Sequence, residues 1–162
     1  MSPELKVDNS KLVVGDLENN GRIRIEIFNQ YASTGSNPGI NQAQIKFTKN
    51  MVVTFRLSGL TDNMKEGACS HVAGLEYADA SWDPSRWSAF DNSKYDANVT
   101  GDGLYTVWME TGGAEAEGAA VFCVDINNLA ADAIDASKIT AEIVSIKFDV
   151  DPEFSMDFSK TE

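Results

Sequence analysis

Short stretches in which apolar and polar residues alternate one by one are the feature of this sequence that most restricts its fold. In residues 22–27, isoleucines occupy every second position, and arginine and glutamate occupy the positions between them. A period of two matches the side-chain geometry of a half-buried β-strand, whereas a helix needs apolar residues three and four positions apart. The chain is therefore predicted to be built from strands.

The same pattern recurs up to the end of the chain. It predicts a short apolar run ended by Gly15, strands at residues 42–48 and 52–57 that pair with each other, and further strands at 71–77, 104–110 and 120–126. A long last strand at 139–150 changes phase near Val144 and Ser145, which indicates a β-bulge. Eight or nine short strands separated by Gly, Asn and Asp predict an all-β chain folded as a two-sheet antiparallel β-sandwich, with a jelly-roll arrangement expected.

Three connecting segments are also predicted. Residues 78–95 form a long aromatic and polar loop, residues 112–118 a flexible turn, and residues 129–134 a brief helical turn. Long loops in compact domains are commonly functional. At 162 residues and 43% hydrophobic content, the chain fits one domain over residues 1–150, followed by a linker or tail at 151–162.

Charge and targeting signals restrict the partners. The sequence has 13 basic and 25 acidic residues, for a net charge of −12, and this field repels phosphate backbones, anionic membranes and polyuronides. A neutral partner is expected, and neither nucleic acid nor a membrane. No apolar run reaches the ~18 residues of a membrane-spanning helix, and the N-terminus lacks the pattern of a signal peptide.

Residue patterns for catalysis are missing from the sequence. The single histidine, His71, excludes a metal centre built from several histidines, and no HExxH, GxSxG or phosphate-binding GxxxxGK[ST] motif occurs. Cys69 and Cys123 form either one disulfide or free thiols, and their spacing does not decide between the two. We therefore expect a protein that is not an enzyme and has no catalytic residues, no cofactor and no metal ligand.

The tryptophans are the strongest functional signal. Trp82 and Trp87 lie in the turn-rich segment SWDPSRW, where Pro84 stiffens the chain. In the strand at 104–110, Trp108 shares a face with threonine and glutamate, so it is expected on the sheet surface. Open indole rings can stack on the apolar faces of sugar rings, although large aromatic side chains often belong to cores. The expected hydrogen-bonding partners are Arg86, Glu110, Gln42 and Gln44.

The succession GRIRIEIFNQY, VVTFRLSGL, GLEYADASWDPSRW, GDGLYTVWMETGG and AAVFCVDINNLA resembles the carbohydrate-binding modules attached to surface glycoside hydrolases of gut Firmicutes. The resemblance covers residues 5–150, and its most specific part is the YAD-x-x-W-x-x-x-x-W element. It is similar to the module type that heads a Roseburia-type xylanase, with amylase-associated modules as the competitor.

The resemblance implies a secreted or cell-surface β-sandwich, a monomer covalently linked to a catalytic domain, that binds xylan, or alternatively starch, without cutting it. It implies Trp82, Trp87 and Trp108 as the matching aromatic positions. Sandwich modules of this kind often carry a structural calcium, but the sequence shows no compact Asp-rich loop for it. Two alternatives stay open: a small β-sandwich glycoside hydrolase or lyase, and a protein-interaction or adhesion domain.

Overall fold

Strands dominate the structure, because the alternating residues give each strand one face to bury. The computed structural model describes residues 4–17, 22–63, 71–81, 97–111, 113–127 and 136–150. Its strands are β1 (Val13–Leu17), β2 (Arg22–Asn29), β3 (Lys46–Phe47), β4 (Asn50–Ser58), β5 (His71–Ala78), β6 (Ala97–Val99), β7 (Gly103–Glu110), β8 (Ala116–Glu117), β9 (Val121–Asn127) and β10 (Thr140–Phe148). Helical segments are short: α1 (Ser33–Ser36) and 3-10 turns at Asn9–Lys11, Gln42–Gln44, Thr61–Asn63 and Ala136–Lys138.

Two antiparallel sheets share one core. Within the described residues, the first sheet has the strand order β1-β2-β9-β5-β6 and the second the order β10-β4-β7. This confirms the predicted all-β antiparallel class and agrees with a two-sheet sandwich, while the jelly-roll arrangement stays a prediction. None of the helices in these ranges is long and apolar enough to cross a membrane.

Inward side chains from both sheets build the core. They come from β2, β9, β4, β7 and β10 and include Ile23, Ile25, Ile27, Phe122, Val124, Ile126, Val53, Phe55, Leu57, Tyr105, Val107, Ile146 and Phe148. The predicted faces of residues 22–27 and 52–57 are confirmed. The outward residues of the same strands are thereby fixed on two opposite surfaces of the protein.

The prediction of one strand over residues 42–48, paired with the next strand, is wrong. The side chain of Asn41 accepts a hydrogen bond from the Ala43 backbone N–H at 3.1 Å, and the chain turns through Gln42–Gln44. Such local bonds compete with sheet pairing. Only Lys46–Phe47 is extended, and it pairs with β8 instead of β4. β8 itself lies within the predicted flexible turn at residues 112–118.

The β3–β8 ribbon closes one end of the core through Phe47. The Phe47 ring lies 5.6 Å from the ring of Tyr77 in the five-stranded sheet and 5.4 Å from that of Phe148 in the three-stranded sheet, between centroids. The apolar residues predicted for this segment are therefore buried as expected, although the backbone between them is not a single strand.

The bulge predicted in the last strand is confirmed. The β10–β4 register shifts between Ile143 and Ser145, and the extra residue, Val144, is exposed. The Asn9 side chain accepts from the backbone N–H of Ile143 at 2.7 Å and donates to its carbonyl at 3.1 Å. Further along the same edge, the Leu5 N–H donates to the Ile146 carbonyl at 2.9 Å, and Glu4 bridges Lys147.

The chain turns back after β10. Asp149 has a φ of 52°, and its carboxylate accepts the backbone N–H groups of Thr48 and Lys49 at 3.1 and 2.7 Å. Asn50 then holds Val150, accepting from its N–H at 2.8 Å and donating to its carbonyl at 3.2 Å. The predictions for residues 129–134 and 151–162, and for all of the loop beyond Ser81 up to residue 95, fall outside the described residues.

Candidate functional site

Four charged side chains meet on the outer face of the five-stranded sheet. Arg22 and Arg24 of β2 point outward because the isoleucines between them point inward. Arg24 is directly opposite Asp125 of β9, and Glu76 of β5 lies one strand further along. We call Arg22, Arg24, Glu76 and Asp125 the charged cluster.

Arg24 is the centre of the charged cluster. Its Nε and Nη2 atoms donate to the two oxygens of Asp125, both at 2.9 Å, and Nη2 also donates to Oε2 of Glu76 at 2.5 Å. Arg22 adds longer ion pairs, at 3.6 Å to Asp125 and 3.9 Å to Glu76. A forked pair of this kind fixes the guanidinium plane and is stronger than a bond between neutral groups.

The two carboxyl groups differ in protonation. A hydrogen bond shared with Asp125, together with burial, raises the pKa of Glu76 to about 7. Burial also disfavours the charge on Asp125, but hydrogen bonds from Arg24 and Glu76 outweigh it and hold the pKa of Asp125 below its ordinary value. Around neutral pH the charged cluster therefore contains two guanidinium ions, one carboxylate and one carboxyl group in titration.

Exposure divides the charged cluster into a buried support and an accessible part. The Asp125 side chain is only 5% exposed, whereas the side chains of Arg24 and Glu76 are 20% and 30% exposed. Asp125 thus fixes the Arg24 guanidinium from its buried side, while parts of the Arg24 and Glu76 side chains remain in contact with water. The result is a rigid surface that offers donors and acceptors together and has little net charge.

Trp108 lies elsewhere, and the expectation that its ring is open to water is wrong. The residue does belong to the outer face of the three-stranded sheet, but it is only 2% exposed and clusters with Val52 and Val150. Alternation determines which face a residue occupies, and the returning chain at Val150 determines that this face is covered. Glu110, at the end of β7 opposite Asn50, is half-buried on the same sheet.

The remaining predicted site residues are divided between described and undescribed segments. Gln42 accepts a hydrogen bond from the Ala119 N–H at 3.0 Å, so its amide has a structural partner. Gln44 is exposed on the 3-10 turn. Trp82, Trp87 and Arg86 lie outside the described residues. The structure therefore brings neither Glu110 nor Trp108 to the charged cluster.

The start of the tryptophan segment is nevertheless fixed. β5, which carries Glu76, continues into Asp79, whose carboxylate accepts from the N–H of Ser81 at 3.1 Å and from its hydroxyl at 2.6 Å. The Ala80 N–H donates to the Glu117 carbonyl at 3.0 Å. Trp82 is the next residue after Ser81. The strand that supplies Glu76 thus leads directly into the segment of Trp82 and Trp87.

No family model, no curated protein and no solved structure matches this chain. The residues themselves are therefore the whole basis for assigning a function.

Within the described ranges, no group of three or more His, Cys, Asp or Glu side chains is placed to hold a metal ion. Cys123 is a buried free thiol, and burial raises its pKa, so the reactive thiolate is disfavoured. Cys69 and the side chain of His71 fall outside the description.

Sequence reasoning missed the charged cluster, although the sequence carries a signal for it. Asp125 stands in the middle of the strand VFCVDIN, and aspartate is depleted from strands. An isolated acid at such a position needs a basic partner on a neighbouring strand. The outward arginines of β2 supply that partner, but the pairing of β2 with β9 cannot be read from the sequence.

Proposed function

We propose that this protein is a non-catalytic carbohydrate-binding module. It holds a neutral plant polysaccharide, with xylan as the first choice and starch as the alternative, and keeps an attached glycoside hydrolase, secreted or on the cell surface, near its substrate. The observation that carries the proposal is the rigid, nearly charge-balanced cluster around Arg24, one member of which, Glu76, lies on the strand that leads into Trp82 and Trp87.

The chemistry of the charged cluster suits sugar hydroxyls. A hydroxyl group both donates and accepts, and Arg24 with Glu76 supplies both functions within one hydrogen-bonded unit. Because Asp125 already holds the guanidinium in place, little side-chain entropy is lost when a ligand binds. The net charge of −12 disfavours phosphorylated and acidic polymers.

Tryptophan stacking supplies the apolar part of the binding energy. Covering ~100 Å² of one indole contributes about 2.5 kcal/mol, and association costs on the order of 4–15 kcal/mol. Stacking on Trp82 and Trp87 together contributes about 5 kcal/mol, and hydrogen bonds to the charged cluster add to it, so the expected affinity is modest and no tighter than roughly micromolar to millimolar. Such an affinity is sufficient for a module that acts together with a tethered enzyme.

A small glycoside hydrolase is the second candidate, and the raised pKa of Glu76 is the observation in its favour, because a general acid needs it. The geometry is less favourable. Glycosidase carboxyl pairs are roughly 5–5.5 Å or 6.5–9.5 Å apart to admit a sugar carbon or a water, whereas Glu76 and Asp125 both accept hydrogen bonds from Nη2 of Arg24, which lies between them. This arrangement supports binding over hydrolysis.

Affinity electrophoresis in gels that contain xylan, starch or other neutral glycans tests the proposal. The wild-type protein is expected to be retarded by xylan or by starch, and Trp82→Ala and Trp87→Ala are expected to abolish the retardation with little change in Tm. Trp108→Phe is the matched control, because that ring is buried on the other sheet, and it should migrate as wild type does.

Three results count against the binding module. Migration unaffected by every glycan removes it. Loss of folding in both loop variants would make Trp82 and Trp87 core residues. Release of reducing ends from the same polysaccharides, lost in Glu76→Gln, would establish the hydrolase instead.

A further inference from the structure

Gly15 in β1 lacks the structural reason that other glycines of the chain have. Positive φ angles require glycine at Gly59, Gly101, Gly103, Gly113 and Gly118, and neighbouring backbone leaves no room for a Cβ at Gly35 and Gly39. The φ of Gly15 is not positive, and a Cβ built on it would meet no atom within 4 Å. Neither the backbone nor the packing of the described chain calls for glycine at this position.

A glycine inside a strand also has a cost. It loses more conformational freedom on folding than alanine does, by roughly 0.5–1 kcal/mol, and it gives the sheet no side chain to pack. Such glycines often mark a bulge, a tight bend, or a place where a ligand or another backbone approaches closely, and the β1–β2 register has no shift at Gly15. Within the described chain, the space above Gly15 is open.

The position of Gly15 links that open space to the charged cluster. Gly15 is directly opposite Arg24 in the β1–β2 ladder, and Val13 is directly opposite Glu26. Directly paired residues share one face of a sheet, so Gly15, Arg24 and Val13 all belong to the outer face. Val13 is 43% exposed and places an apolar side chain next to the open space above Gly15.

Arg24 has hydrogen-bonding capacity left for a ligand. All three hydrogen bonds that it makes within the described residues come from Nε and Nη2. A guanidinium has five N–H donors, so Nη1 supplies none of these bonds. The partly exposed carboxyl of Glu76 lies beside the Arg24 guanidinium on the same face of the sheet.

We infer that Gly15 is the floor of a sugar subsite. One unit of the polysaccharide lies over Gly15 with an apolar face against Val13, and the adjoining part of the polysaccharide crosses β2, so that its hydroxyl groups reach Arg24 Nη1 and Glu76. The inference rests on the proposed glycan binding and adds a contact region on β1 and β2 to the tryptophan segment. The subsite takes a neutral polyol, because the positive and negative charges around Arg24 nearly balance. A phosphate would be repelled by a carboxyl group of the charged cluster, and a cation by a guanidinium group.

Adding a side chain at position 15 tests the subsite. Gly15→Ala and Gly15→Val add one and three carbons to a space that is open, and the extended backbone accepts both residues. Tm is expected to stay the same or rise, because alanine and valine are better strand residues than glycine. Affinity for xylohexaose or maltohexaose, measured by titration calorimetry, is expected to fall in steps and to reach a loss of roughly tenfold or more with valine.

Two readouts separate this inference from the general proposal. If wild type binds a hexasaccharide and Trp82→Ala weakens the binding, but Gly15→Val binds as wild type does, the subsite is wrong and the binding module stands. If no hexasaccharide binds wild type, both fall. Should Gly15→Val lose stability, the backbone amide signal of Gly15 in a ¹H–¹⁵N spectrum of wild type decides: a shift on adding hexasaccharide supports the subsite, and an unchanged signal overturns it.

Discussion

On the outer face of the five-stranded sheet, Arg24 and Glu76 remain partly open to water, whereas on the outer face of the three-stranded sheet Trp108 and Val52 are covered. Both faces come from the same alternation of inward and outward residues. The difference is the connection that follows: the chain turns at Asp149, and Asn50 holds Val150 over Trp108. An outward position therefore stays accessible to water only where no later segment covers it.

The largest effect is expected on the covered face. Trp108→Ala removes a buried indole from the cluster with Val52 and Val150 and leaves a cavity, so it should lower the free energy of unfolding by about 3–5 kcal/mol. Urea denaturation measures the loss. Glycan affinity, taken at a temperature where the variant remains folded, should equal that of wild type. A stable variant with lost binding would reverse the assignment of the two faces.

A smaller effect, on both stability and binding, is expected at the support of the charged cluster. Asp125→Asn removes the carboxylate that holds Arg24 from below, while Glu76 still bonds to the guanidinium. Breaking a buried ion pair from one side costs several kcal/mol, and the remaining partner reduces this to about 2–3 kcal/mol. Glycan affinity should fall as well, because Arg24 loses its fixed orientation.

Asp62→Asn is the matched control for Asp125, since Asp62 is exposed on a 3-10 turn. It should change neither the urea midpoint nor the glycan affinity. Equal effects at both positions would mean that loss of negative charge, rather than loss of the Arg24 contact, is responsible.

The smallest effect concerns pH. The pKa of Glu76 is about 7 in the folded protein against an ordinary value of 4.5, so between these values the folded state binds more protons than the unfolded chain. Stability contributed by this group therefore falls as pH rises through that window. Glu76→Gln cannot ionise, and its Tm should fall less than that of wild type between pH 4.5 and 8.

Screening by water keeps this difference modest, because part of the Glu76 side chain is exposed. Asp125, with its lowered pKa, acts in the opposite direction: its contribution is lost only as pH falls through its folded-state pKa, below the window tested. Glu110→Gln on the other sheet serves as control and should follow wild type. Parallel curves of Tm against pH for wild type and Glu76→Gln would contradict a carboxyl pair that shares a proton.

Much of the fold could be predicted from the sequence, because a strand that buries one face has apolar and polar residues in alternation. The isoleucines of β2, the apolar face of β4 and the bulge near Val144 were all predictable in this way. The failure at residues 42–48 has a physical cause as well. Ile45 and Phe47 are buried as in a strand, but the hydrogen bond to the Asn41 side chain turns the backbone before them.

The candidate site could be predicted less well, because it depends on which strands are neighbours. Arg24 and Asp125 are separated by 101 positions in the sequence, and no periodicity within one strand reports a contact over such a distance. The predicted exposure of Trp108 was wrong for a related reason. The residue that covers its ring, Val150, comes 42 positions later in the sequence. Trp82, Trp87 and Arg86 stay predictions.

The N-terminal segment along β10 brings the two ends of the described chain together. Glu4 bridges Lys147, and three residues span at most about 10 Å, so the described chain enters and leaves at nearly the same place. A short linker between residues 4 and 150 would therefore be enough to close the described chain into a circular permutant.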